Sequence, residues 1–139
     1  MEAMNRDKVT RQRAYSAPIE QVWLAISTGE QISAWFIQAD FEARVGYRYT
    51  FTHEDTKIIG EVLEVKPMHH LVYTWEIEGT GIPTTVKWTL EETAKVTVVT
   101  VEHSGIEAYP TDEKVIAMFE DYSGGWANCF NQLEKYLSA

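Results

Sequence analysis

The chain has 139 residues, 45% of them apolar, with five Trp, seven Tyr and five Phe. That is the size of a single domain able to bury a real core, which argues against both disorder and a two-domain layout. The net charge of −9, from 12 basic and 21 acidic residues, leaves no basic stripe for nucleic-acid phosphates or an anionic bilayer. No apolar run reaches the roughly 20 residues that cross a membrane. The single cysteine, Cys129, permits no internal disulfide, and with no secretory segment at the N-terminus a cytoplasmic location is expected.

In chain order, residues 9–15 read as a first, polar strand. Pro18 suits the first position of a short helix whose apolar face is Val22, Trp23 and Ile26. Thr28-Gly29-Glu30-Gln31 has capping-box spacing and predicts a second short helix carrying Ile32, Trp35 and Phe36. From about residue 39 to residue 103 the apolar period becomes two. Tyr47, Tyr49, Phe51 and His53 alternate with polar residues, as do Leu71, Tyr73, Trp75 and Ile77, and then Val86, Trp88 and Leu90. Such alternation marks antiparallel strands covered on one face. The β-branched runs 58–65 and 96–101 complete about six strands after the helices. Gly60, inside one of them, suggests a bulge or bend. Turns are expected at Val45-Gly46, Glu54-Asp55, Pro67-Met68-His69, 78–83 and 91–95.

Pro110-Thr111-Asp112-Glu113 is a helix start, with Thr111 as N-cap and acids in the first turn. Val115, Phe119, Tyr122, Trp126, Phe130, Leu133 and Leu137 then follow at helical spacing. Gly124-Gly125 interrupts this stripe, as a kink or as space beside a cavity; each mid-helix Gly costs about 1 kcal/mol relative to Ala. The expected fold is α+β: strand, two short helices, about six strands in a curved antiparallel sheet, and a long C-terminal helix burying its stripe on the sheet.

Ala17-Pro18-Ile19-Glu20-Gln21-Val22-Trp23, then Trp35-Phe36, resembles the opening of the START-like helix-grip superfamily. Gly46 before the aromatic strand, Gly60-Glu61-Val62-Leu63-Glu64-Val65 followed by Leu71-Val72-Tyr73-Thr74-Trp75, and Gly125-Trp126 with Leu133 agree with it. The branch it is most similar to is the C-terminal domain of activators of the heat-shock-protein-90 ATPase, over nearly all of residues 1–139. The resemblance implies an apolar cavity between sheet and last helix, of the kind that holds lipids, sterols, polyketides or phenolics, with cyclase, dehydratase or hydrolase-like chemistry in a minority of members. The chaperone activators carry a second, N-terminal domain for which this length leaves no room.

Tyr49, Phe51, Tyr73, Trp75 and Trp88 are expected to face Phe119, Tyr122 and Trp126, with Trp35 and Phe41 at one end, as core or as the lining of a small-molecule site. Glu61 shares a strand face with Ile59, Leu63 and Val65; turned inward it would be a desolvated general acid, unless Gly60 bulges and turns it out. His103 continues the Thr97, Val99, Val101 face toward the cavity, while His53 sits at a strand end. No zinc-type His/Cys spacing, nucleophile elbow, phosphate loop or dinucleotide fingerprint is present, so no metal or cofactor is expected. Three functions follow: binding an apolar or aromatic small molecule, a cavity enzyme using Glu61 with His103 or a Tyr, and a protein-interaction module acting on a chaperone.

Overall fold

In a computed structural model, which describes residues 6–138, the first strand β1 (Lys8–Tyr15) leads into α1 (Ile19–Ser27) and α2 (Gly29–Trp35). Six strands follow: β2 (Gln38–Asp40), β3 (Arg48–His53), β4 (Thr56–Lys66), β5 (His70–Ile77), β6 (Thr84–Thr93) and β7 (Val96–Ser104). A 3-10 turn at Ile106–Ala108 precedes the long helix α3 (Asp112–Leu137). The seven strands form one antiparallel sheet in the order β1-β7-β6-β5-β4-β3-β2. Only β1 leaves chain order, pairing with the last strand; α1 and α2 carry the chain from one sheet edge to the other. This is the α+β helix-grip arrangement.

The period-two strands fold as their patterns dictate. Leu71, Tyr73 and Trp75 on β5 are buried, as are Val86, Trp88 and Leu90 on β6 and Thr97, Val99, Val101 and His103 on β7, while their neighbours in sequence face outward. β6 runs further than the expected turn at 91–95: it continues to Thr93, and Ala94 and Lys95, both at positive φ (48° and 70°), make the reversal alone. Two residues at positive φ match the right-handed twist of the flanking strands.

Three local expectations are corrected. Pro18 is the N-cap of α1 rather than its first helical residue. The capping box at Thr28 does not form: Thr28 precedes α2 as expected, but its hydroxyl donates to the Leu24 carbonyl at 2.8 Å, closing the end of α1 instead. The bulge in β4 lies at Leu63, where the register against β5 shifts between Val62 and Glu64, and not at Gly60. Gly60 pairs with Tyr49, and Ile58 with Phe51, so the inner face of β4 is Ile58, Gly60 and Val62. A Cβ on Gly60 would stand 2.6 Å from Cε2 of Tyr49 and 2.1 Å from the Thr74 carbonyl oxygen. Glycine is required there because the Tyr49 ring lies across the strand and its hydroxyl donates to that carbonyl.

The helix α3 begins as expected, with the Thr111 hydroxyl accepting from the Lys114 N–H at 3.1 Å. It buries Val115, Met118, Tyr122, Trp126, Cys129, Phe130 and Leu133 against the sheet. Met118 holds the inward place expected of Phe119, which is only partly buried. Long-range bonds fix the helix: Tyr15 donates its O–H to the Phe130 carbonyl at 2.9 Å, and Arg11 reaches Ser123 Oγ at 2.7 Å.

Candidate functional site

The space between α3 and the sheet is largely filled with rings. Phe41, Tyr49, Phe51 and Tyr73 form one group, with centroids 4.6 to 6.2 Å apart and Trp75 edge-on to Phe51. Trp126 bridges to a second group, lying 5.5 Å from Trp75, 5.6 Å from Trp88 and 6.1 Å from Phe36, and Trp88 packs on Phe130. Contacts of this kind add roughly 0.5–1.5 kcal/mol per pair beyond the area buried. Trp35 stacks on Phe36 at the end of α2 and donates its N–H to the Ala25 carbonyl at 2.8 Å.

His103 lies fully buried at the centre of a directed chain of hydrogen bonds. Thr84 Oγ1 donates its one proton to the Trp75 carbonyl at 2.8 Å, so it accepts from His103 Nε2 at 2.7 Å. The other ring nitrogen, Nδ1, then accepts from Trp126 Nε1 at 3.0 Å. The chain works only with a neutral imidazole protonated on Nε2. Burial pushes its pKa down to about 3, since the charged form would lose its hydration without gaining a counter-ion. Tyr122 stacks on this imidazole at 4.1 Å and exchanges a hydroxyl hydrogen bond with Tyr109 at 3.1 Å. Burial also raises the phenols of Tyr49, Tyr73 and Tyr122 and the thiol of Cys129.

What stays open is a cleft of about 350 Å³ at the end of this ring stack. Phe36 and Ile37 form one wall, from the segment after α2. His53, Thr56 and Ile58 form a second, at the β3–β4 hairpin. The third is α3, through Asp121, Tyr122, Gly125, Trp126, Asn128 and Gln132, and Trp75 completes the lining. A volume of this size and a lining mostly of apolar walls with a few polar tips suit a small organic molecule. A Cβ built on Gly124 or Gly125 would meet no atom within 4 Å. Both glycines are exposed on the helix surface, and Gly125 lines the cleft. A larger hollow of about 520 Å³, beside the start of α3, is lined by Arg6, Glu107, Thr111 and Asp112 among others; that charged rim does not match an apolar ligand.

Of the residues singled out from sequence, Trp75, Tyr122 and Trp126 meet at the cleft. Phe41, Tyr49, Phe51, Tyr73, Trp88 and His103 lie behind it as packed core, Trp35 stands behind Phe36, and Phe119 is on the flank of α3. Glu61 is a correction: it points to the outer face of the sheet, its side chain 44% exposed and 3.9 Å from the Arg48 guanidinium. The inward spot belongs to Gly60, and the bulge at Leu63 then switches parity, so Ile59, Glu61, Leu63 and Val65 never form one face. A cavity enzyme built on Glu61 is therefore removed. His53, expected at a strand end, stands exposed at the cleft mouth. The sequence reading missed Phe36, Ile37, Thr56, Ile58, Asp121, Asn128 and Gln132 as lining. For those on α3 the signal was available: Asp121, Gly125, Asn128 and Gln132 recur at helical spacing, a small and polar stripe beside the aromatic one.

Among the described residues, no group of three His, Cys, Asp or Glu is placed to hold a metal, and no helix is long and apolar enough to cross a membrane. No curated protein matches the chain. Solved structures do. Protein MLL2253 from Mesorhizobium loti is 27% identical, with a TM-score of 0.85 over 94% of this chain and 96% of that one. Protein BH1534 from Bacillus halodurans is 26% identical, with a TM-score of 0.78 over 94% and 96%. DynU16, a protein of the dynemicin biosynthetic locus, is 25% identical with a TM-score of 0.82; the match takes in 96% of this chain but only 48% of DynU16. The family model described as Activator of Hsp90 ATPase homolog 1-like protein matches residues 16–138, and the chain belongs to that family, within the START-like superfamily.

Proposed function

We propose that the protein binds a flat apolar or aromatic small molecule in the cleft between α3, the β3–β4 hairpin and the segment after α2. The observation that carries this reading is the open space over Gly125, flanked by Tyr122 and Trp126 and lined by Trp75, Phe36 and Ile37. A larger side chain at residue 125 would reach into the same space; here a residue of poor helix propensity keeps it clear. Apolar surface placed there gains roughly 25 cal/mol per Å² removed from water. The likeness to DynU16, a protein of the dynemicin biosynthetic locus, supports a small organic molecule as the type of occupant.

Titration of the ¹⁵N-labelled protein with phenanthrene tests the reading. Shifts are expected at Gly125, Trp126 and the Trp75 indole, and none at Glu61. Unmoved resonances at all the cleft residues would refute it. Docking to a chaperone, suggested by the family's name, has less behind it: the exposed large apolar residues, Leu24, Val45, Leu63 and Ile116, come from α1, the β2–β3 loop, β4 and α3.

A further inference from the structure

Four buried or nearly buried indoles surround the cleft and its core, and three of them have spent their N–H. Trp35 donates to the Ala25 carbonyl, Trp88 to the Tyr73 hydroxyl at 2.9 Å, and Trp126 to His103. Trp75, only 7% exposed, does not. Its Nε1 has no acceptor in hydrogen-bonding geometry, and its polar neighbour is the Tyr122 hydroxyl. A buried donor left without an acceptor costs about 1–3 kcal/mol, and native structures seldom keep one without a reason.

The surroundings of this N–H are also rich in donors. The hydroxyls of Tyr109 and Tyr122 share one hydrogen bond between them. Each hydroxyl has one proton, so one O–H of the pair is left without an acceptor inside it. Both Trp75 and Tyr122 belong to the cleft lining, with their rings edge-on at 6.5 Å. An unpaired indole N–H on a residue that lines an apolar cleft is complementary to an oxygen acceptor. The acceptor must be neutral, because the Asp121 carboxylate lines the cleft and the chain carries a net charge of −9.

Building on the small-molecule reading above, we infer that the ligand is an aromatic ketone or quinone whose carbonyl oxygen accepts from Trp75 Nε1, and that Trp75 is thereby the residue that selects among flat apolar molecules. The hydrocarbon of the same shape leaves the donor unpaired and binds less tightly. A site built to hydrogen-bond a ligand group discriminates against the analogue lacking it, because its own polar group is then stranded.

The test pairs 9-fluorenone with fluorene, which differ by one carbonyl, titrated into the ¹⁵N-labelled full chain. The expected result is binding of fluorenone about tenfold tighter, with the Trp75 indole N–H moving downfield for fluorenone and not for fluorene. In Trp75→Phe the ratio falls to about one. If that variant does not fold, the wild-type comparison decides by itself. Equal affinities with shifts at Gly125 and Trp126 but none at the Trp75 N–H would overturn the selection by Trp75 and leave the cleft as a binding site. No shift at any cleft residue with either compound would overturn both.

Discussion

Acidification should destabilise this protein through His103, whereas the buried phenols stay protonated in both states as the pH falls and contribute nothing. The imidazole has a pKa of about 3 when folded, against 6.5 for the free group. Between those values the unfolded chain binds a proton that the folded chain does not, so stability is complete above about pH 6.5 and falls as the pH drops. The slope approaches about 1.4 kcal/mol per pH unit, and between pH 7.5 and pH 5 the loss is about 2 kcal/mol. The groups packed around the ring, Thr84, Trp75, Tyr122 and Trp126, are uncharged throughout this range, so none of them compensates. The assay is urea unfolding of wild type and His103→Gln at pH 7.5, 6 and 5. Subtracting the two curves cancels the carboxylates and the three other histidines. The wild type should lose about 2 kcal/mol more than the variant across this interval. Parallel curves, or an imidazole of folded wild type that titrates near pH 6 by NMR, would refute the neutral His103 at the centre of the core.

Four further outcomes follow from the packing. Gly60→Ala should lose at least about 2 kcal/mol, because its Cβ collides with the Thr74 carbonyl and the Tyr49 ring; a melting temperature equal to wild type would contradict the Tyr49 crossing. Gly124→Ala should gain roughly 0.5–1 kcal/mol, since its Cβ meets nothing and helix propensity is all that changes; destabilisation in a thermal melt would count against an open helix face. Glu61→Gln should alter stability by less than about 0.5 kcal/mol and leave phenanthrene binding unchanged, as expected of a surface ion pair; calorimetry would reveal a larger role. Cys129, 1% exposed and with its thiol pKa raised, should react with a disulfide reagent only as fast as the protein unfolds, and rapid labelling of the native protein would contradict its burial.

The strands β5, β6 and β7 were legible in the sequence because large inward residues alternate without interruption: Leu71, Tyr73 and Trp75, then Val86, Trp88 and Leu90. The strand β4 was legible as a strand but not in its facing, so Glu61 was left either inward or turned out. Its inner face is marked at one position by Gly60, which has no side chain to declare a direction, and the bulge at Leu63 reverses the alternation three residues later. The stripe of α3 was read correctly at Val115, Tyr122, Trp126, Phe130 and Leu133; Leu137 is only partly buried, and Met118 takes the place of Phe119, adjacent apolar residues between which periodicity alone does not choose. The cleft draws its walls from three segments far apart in sequence, so only its α3 border, 121, 125, 128 and 132, left a periodic trace. Nor does sequence distinguish Trp75 from Trp88 or Trp126; what separates them is the acceptor each finds in the folded core.

The central claim is that the space over Gly125 is a binding site. Gly125→Phe fills that space from the helix surface without touching the buried stripe. Phenanthrene titration of wild type and variant, followed at the Trp126 amide, tests the claim most directly. The expected result is a saturable shift in wild type and its loss in a variant that unfolds at the same urea concentration; an identical titration in the two proteins would contradict it.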